Sequence, residues 1–264
     1  MKKVINGLSV NEFGNPKNQP VIFVHGFPLD HKMWEFQIEE FEKDYYCIAY
    51  DVRGLGESPA DCGQFTLEMF VDDLFSIIDE LKLNKPFLCG LSMGGYISLR
   101  ALERDQSKFK GVILCDTRPD ADSDEAKLRR TKKIKQINVE GPETFIHEFV
   151  TSLFADETIE DDPELYNSVL NRSKQFSKVG VKGALLAILS RTDTTKFLPS
   201  IKIPALVLGG SFDNLTPPPV MRAMADKIKN SEYAVIPKAG HMAPLENSEC
   251  VNDLIRNFMQ KNKG

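Results

Sequence analysis

The sequence is poor in the residues that would mark several chemistries. Its five cysteines, at 47, 62, 89, 115 and 250, are odd in number and widely scattered, and none forms a C-x-x-C pair. That pattern offers neither a disulfide framework nor a cysteine-based zinc site, and it points to a reducing compartment. Cys89 and Cys115 sit inside apolar runs, where free cysteine packs as a small hydrophobe. Only four histidines occur, at 25, 31, 147 and 241, so a mechanism that needs an imidazole base has few places to find one. No apolar run is long enough to span a bilayer. Met1-Lys2-Lys3-Val4-Ile5-Asn6-Gly7 has the lysines of a secretory leader without the apolar stretch behind them, so a cytoplasmic location is expected. Thirty-three basic against 38 acidic side chains give a net charge of −5, which disfavours nucleic acid or an anionic membrane as partner. Internal repeats and low-complexity segments are also missing.

What is present fits one large α/β domain, or one such domain with an insertion, within 264 residues. Residues 3–13 read as one or two strands, followed by a turn cluster over 15–20. Val21-Ile22-Phe23-Val24 is a continuous run of β-formers, as expected of a strand covered on both faces. Residues 30–43 read as a helix with Trp34, Ile38 and Phe41 on one side. Cys47-Ile48-Ala49-Tyr50 is the next buried strand. Thr66 is placed to cap a helix whose Leu67, Phe70, Val71, Leu74, Ile78 and Leu81 follow the 3.6-residue period. Pro86-Phe87-Leu88-Cys89 and Gly111-Val112-Ile113-Leu114-Cys115 are further strands with a helix between them. Strands alternating with helices imply a parallel, doubly wound sheet whose ligands gather beyond the carboxyl ends of the strands.

From about 119 to 200 the alternation stops and only helical patterns remain. The expected organisation is therefore a core of residues 1–118 and 201–264 with a helical cap, or lid, over 119–200. The cap opens on Asp120, Asp122, Asp124 and Glu125, and these precede Arg129, Arg130 and four lysines. Acids first and bases last suit a helix dipole, and the basic cluster reads as a solvated face rather than an anion site. Phe145, Phe149, Leu153 and Phe154 form one apolar stripe and Val181, Ala184, Leu185 and Ile188 another; an insert of this kind can act as a lid with its aromatics facing the substrate, but for any single residue the expected role is to hold the cap down. Alternation resumes with the strands Pro204–Gly210 and Tyr233–Ile236. Between them, Thr216 reads as an N-cap with Pro217 at the first helical position. An amphipathic helix carrying Val251, Leu254, Ile255 and Phe258 ends the chain.

The rest of the chain is organised around Gly90-Leu91-Ser92-Met93-Gly94-Gly95, a G-x-S-x-G between a strand and a helix. Lifting a serine hydroxyl clear of a sheet demands so sharp a turn that residues two before and two after nearly collide, and glycine fits both places. The Met93 N–H then opens a helix without an intrahelical partner and is free to face a developing oxyanion. Serine is a weak nucleophile and needs an adjacent base. His241, after the last strand, is the one histidine so placed in the second half of the chain. Asp213, after the preceding strand, would accept its second ring proton. Ser92, Asp213 and His241 arrive in the order expected of this constellation on such a sheet. Asp116, at the end of another strand, competes with Asp213 for the acid role. In His25-Gly26-Phe27-Pro28 the Phe27 N–H is the second expected oxyanion donor, with His25 holding the loop by hydrogen bonds. Asp51 and Arg53 are expected to brace the strand-end loops.

Taken with Asp51-Val52-Arg53-Gly54-Leu55-Gly56-Glu57-Ser58, these motifs make the chain resemble the α/β-hydrolase superfamily over nearly its whole length. Within it, the chain is most similar to small bacterial carboxylesterases and to proteins grouped with 3-oxoadipate enol-lactonases and cofactor-free perhydrolases. The resemblance implies a mostly parallel eight-stranded sheet with the cap inserted after strand 6, and no metal or organic cofactor. The implied activity is hydrolysis of small carboxylic esters or lactones through an acyl-enzyme on Ser92. The alternatives are an acyltransferase or perhydrolase using the same acyl-enzyme, or a slow ligand sensor with a protein partner. A small ester or lactone is the expected partner, and the chain is expected to be a monomer or homodimer.

Overall fold

The structure, a computed structural model, describes residues 1–263. Its strands are β1 (Lys2–Ile5), β2 (Leu8–Phe13), β3 (Pro20–Val24), β4 (Tyr46–Tyr50), β5 (Phe87–Leu91), β6 (Gly111–Cys115), β7 (Ala205–Gly210) and β8 (Ser231–Ile236). They form one eight-stranded sheet in the order β1-β2-β4-β3-β5-β6-β7-β8. β2 runs antiparallel to both of its neighbours, and every pairing from β4 onward is parallel. Every residue of β3, β4, β5, β6 and β7 is buried, which explains why these strands read as unbroken apolar runs.

Helices cover both faces. α1 (Glu35–Phe41), α2 (Leu67–Glu80) and α3 (Met93–Asp105) precede β6. The expected helix over 30–43 is in fact a short 3₁₀ turn, His31–Trp34, running into α1. Asp30 accepts from the Lys32 N–H and Asp51 from the His31 N–H, and these bonds hold the tighter first turn. Trp34, Ile38 and Phe41 are buried as the periodicity demands, with Trp34 5.3 Å from the Phe23 ring. Thr66 caps α2 by accepting from the Met69 N–H. The α2 face carrying Phe70, Val71, Leu74 and Ile78 is buried, at about 1.5–3 kcal/mol for each large side chain.

Between β6 and β7 lie α4 (Asp124–Glu140), α5 (Glu143–Thr151), α6 (Asp156–Asp161), α7 (Pro163–Ser173) and α8 (Lys178–Leu189). This is the helical insert expected after strand 6. α9 (Pro218–Ala225), α10 (Ala243–Glu246) and α11 (Ser248–Lys261) complete the chain. Among the described residues no helix is long and apolar enough to cross a membrane, and all five cysteines are unpaired.

The sheet order itself locates the site. From β3 the chain steps to β4 on one side and later to β5 on the other, so the strand order reverses between β3 and β5, where Val24 lies opposite Gly90. A crevice opens at such a switch point beyond the carboxyl ends. The loop after β3 carries Phe27 and the turn after β5 carries Ser92.

Candidate active site

Ser92 is the hinge of the turn from β5 into α3, at φ 53° and ψ −112°. A backbone this far from the usual wells persists only where its surroundings over-determine it. Here they do: the Ser92 N–H donates to the Cys115 carbonyl at 3.0 Å, and its own carbonyl accepts from the Thr117 hydroxyl at 2.8 Å. A Cβ on Gly90 would lie 2.4 Å from the Gly94 carbonyl oxygen. The close approach expected across the turn is therefore real. Among the described residues neither the Met93 N–H nor the Phe27 N–H has a hydrogen-bond partner.

His241 follows β8, and its Nδ1 lies 2.8 Å from Asp213 Oδ2. Both side chains are buried. Asp213 also accepts from the N–H groups of Leu215 and Thr216 and from the Thr216 hydroxyl. Burial alone would raise its carboxyl, but the His241 charge and these donors pull it down to about 2. His241 Nε2 has no partner among the described residues.

The structure separates the two candidate acids. Asp116 Oδ1 accepts from the Gly210 N–H at 2.8 Å, and its Oδ2 has no partner among the described residues. Asp116, Asp213 and His241 still crowd within 4.8 Å of one another. Burial, then the neighbouring Asp213 charge, push the Asp116 carboxyl well above the carboxylate range. Asp213 is thus the hydrogen-bonded partner of His241, and Asp116 stands behind it with its carboxyl pushed above the ordinary range.

Thr216 corrects an expectation. Pro217 is the N-cap of α9, which begins at Pro218. The Thr216 side chain turns instead to Asp213 and comes within 3.3 Å of His241 Nδ1. A threonine before proline reads as a cap in one dimension; the carboxylate three residues upstream outcompetes the helix end.

His25 is buried and neutral in its bonding pattern: Nδ1 donates to the Gly26 carbonyl at 2.7 Å, and Nε2 accepts from the Val52 N–H at 2.8 Å. Burial lowers its pKa. Asp51 accepts from His31 Nδ1 and from the N–H groups of His31 and Glu57, and Arg53 makes a two-point contact with Asp73. These residues brace the loops, as expected. The His31–Asp51 pair gives a pH prediction. Burial opposes the charged imidazole, but the Asp51 contact outweighs it and raises His31 above 6.5. A raised folded-state value means stability fully present below 6.5 and lost as pH rises through the folded value. His31→Ala should therefore cost more at about pH 6 than at about pH 9 in denaturant unfolding; equal costs at both would contradict the pairing.

Ser92, Met93, Phe27 and His241 line one cavity of about 220 Å³. Its other walls correct two further expectations. Phe149 and Ile188 of the insert line it, so those aromatic and apolar stripes do more than hold the insert down. Phe149 also packs 5.6 Å from the Phe27 ring. One face of the basic helix lines it too: Arg129 and Arg130 stand there with Arg118, Arg191 and a single acid, Asp122. Arg130 grips Asp122 with two hydrogen bonds, and the Arg191 guanidinium lies 4.2 Å over the Tyr96 ring. Arg191 Nη1 lies 2.8 Å from Asp122 Oδ1 but out of hydrogen-bond alignment, which leaves a buried donor unsatisfied. Asp122 stands before the Ser123 N-cap of α4, and Ala126, Arg129 and Arg130 share the α4 face that lines the cavity. What lay opposite it could not be read from one sequence.

A family model described as the alpha/beta hydrolase fold matches residues 19–248. The chain belongs to the alpha/beta hydrolase family. It is 30% identical over 260 residues to the AB hydrolase superfamily protein YisY of Bacillus subtilis (strain 168), covering 95% of this chain and 94% of that one. It is 26% identical to 3-oxoadipate enol-lactonase 2 of Acinetobacter baylyi, covering 96% and 93%. Among solved structures, a thermophilic esterase from Thermogutta terrifontis with malate bound superposes with a TM-score of 0.92 at 36% identity, covering 99% of this chain and 98% of that chain. The alpha/beta hydrolase assignment and the hydrolase class agree with the resemblance carried by the sequence motifs.

Proposed function

We propose that this hydrolase is a cytoplasmic serine esterase or lactonase whose acyl-enzyme forms on Ser92. The observation that carries the reading is the buried Asp213–His241 pair, with its unpartnered Nε2 at the cavity Ser92 lines. Ser92 Oγ attacks the carbonyl carbon, and the C=O electron pair moves onto oxygen. His241 Nε2 takes the Oγ proton, and Asp213 fixes the ring tautomer and stabilises the imidazolium. The free N–H groups of Phe27 and Met93 receive the oxyanion, each donor contributing a few kcal/mol in the transition state. Collapse breaks the C–O bond as His241 protonates the departing oxygen. In an ester that oxygen leaves as an alcohol; in a lactone it stays attached as a hydroxyl. Water repeats the cycle and frees the acid and Ser92. The insert over 119–200 serves as the lid. No step requires another chain, so a monomer or a homodimer serves equally.

The cavity also favours a substrate class. About 220 Å³ is small for a ligand site; of its four arginines, Arg118 is paired with Asp120 and Arg130 and Arg191 share Asp122, and the positive charge left over favours an ester or lactone that itself carries a carboxylate. The relative named enol-lactonase and the malate in the esterase structure support that reading. Mass spectrometry of the protein mixed with a short p-nitrophenyl ester should show one acyl group, mapped to Ser92; an adduct elsewhere would overturn the assignment. Among the described residues Arg129 forms no ion pair, so Arg129→Gln should raise KM about tenfold for a monoester with a free carboxylate. A neutral ester of equal size should be unaffected. Equal effects on both would remove the charge argument.

A further inference from the structure

The loop that carries His241 is tied to the insert through one side chain. Glu246, at the end of α10, folds back on the loop, and its Oε1 accepts from the N–H groups of Gly240 and Met242 at 2.9 and 3.0 Å. Those residues flank His241 on either side. Its Oε2 accepts from the Ala155 N–H and the Thr158 hydroxyl, both at 2.8 Å, at the start of α6. The His241 N–H itself donates to the Leu153 carbonyl at 2.8 Å. Three successive N–H groups of the histidine loop are therefore held either by the insert or by a carboxylate the insert shares. The packing is equally close: a Cβ on Gly240 would fall 2.6 Å from the Ala155 nitrogen.

We propose that Glu246 is a positioning residue that locks the histidine loop and the helical insert into one unit, so that turnover depends on the insert being docked. The proposal rests on the reading of His241 as the base. Its physical content is the division of labour between the two carboxylate oxygens. If α6 lifts away, Oε2 loses both of its donors, and the half-buried carboxylate must find water or swing out, releasing the loop on its other oxygen. Burial already pushes this carboxyl above the ordinary range, against four donors that pull it down. Losing two of them makes the charge costlier where it stands. Misplacing a catalytic group by about 1 Å can cost about a hundredfold in rate, so the tie need not move the histidine far to matter. Neither Glu246 nor Thr158 lines the cavity, so their effects on turnover would have to pass through His241.

Thr158 gives the cleaner test, because Thr158→Val removes one hydroxyl from the insert and keeps the side-chain shape. With active sites counted by the p-nitrophenol burst, Thr158→Val should lower kcat per active site about three- to tenfold, with KM for p-nitrophenyl acetate changed less than twofold. Thr158→Ser, which keeps the hydroxyl, should restore it. Glu246→Gln places an NH₂ against one pair of donors and should lower kcat per site about ten- to a hundredfold, and adding Thr158→Val to it should change nothing further. Hydrogen exchange at the amides of Gly240 and Met242 should quicken in both single variants, a readout that needs no ester turnover. If the wild type cleaves no ester, the Ser92 reading fails while exchange still decides the clamp. Wild-type kcat per active site and wild-type exchange in Thr158→Val, or effects that simply multiply in the double variant, would overturn the proposal. Should Glu246→Gln not fold, the Thr158→Val and Thr158→Ser pair decides alone.

Discussion

Ser92→Ala is expected to abolish hydrolysis of short p-nitrophenyl esters, lowering kcat on the order of 10⁵- to 10⁶-fold with KM nearly unchanged. Alanine cannot form the acyl-enzyme, whereas the cavity walls and the two free N–H groups stay in place. What survives should be a small acceleration over water from oxyanion binding and substrate orientation. The loss should not be confused with unfolding. The Ser92 side chain caps nothing in α3, and the bonds that fix the turn run through its main chain to Cys115 and Thr117. Alanine keeps all of them at the same positive φ, so the thermal midpoint should move by no more than a degree or two. A variant that keeps both its midpoint and its esterase activity would show that acyl transfer does not pass through Ser92.

The parts of the site that could be read in one dimension are those in which local geometry dictates residue type. The Gly90-x-Ser92-x-Gly94 turn was legible because backbone crowding forbids side chains at both glycines and because the buried β5 announces itself as an apolar run. His241 was legible by scarcity, in a chain with four histidines. Thr216 was misread because its hydroxyl has two uses, and only the third dimension shows Asp213 within 2.5 Å of it. The arginines of the cavity were hidden for a related reason. A run of acids and bases on a helix satisfies the dipole and the solvent at once, and nothing in the string says that the insert turns Arg129 and Arg130 toward Ser92. Glu246 lies five residues past His241 with no motif to flag it. Its meaning comes from Ala155 and Thr158, roughly ninety positions away in the chain. Long-range polar contacts of this kind leave no periodic trace.

The choice between the acids yields the second large effect. Asp213→Asn should lower kcat about 10⁴-fold, because an amide can present its NH₂ to Nδ1 and leave the imidazole in the wrong tautomer. It also removes the charge that stabilises the imidazolium. Asp116→Asn should cost less than tenfold. Among the described residues Asp116 uses only Oδ1, toward the Gly210 N–H, and the asparagine carbonyl replaces that acceptor while the Asp213 contact with His241 stays in place. The His241 charge and its hydrogen-bond donors hold the Asp213 carboxyl down to about 2 against burial, so it is ionised at neutral pH. Any acid limb in kcat/KM above about pH 4 must therefore come from another group. The pair is not independent, however. The Asp213 charge is one cause of the raised Asp116 carboxyl, and Asp213→Asn removes that charge and eases ionisation of Asp116, whose Oδ2 has no partner among the described residues. The residual activity of Asp213→Asn should then rise with pH and fall again when Asp116→Asn is added. If Asp116→Asn alone were the more damaging change, the roles assigned to the two carboxyls would be reversed.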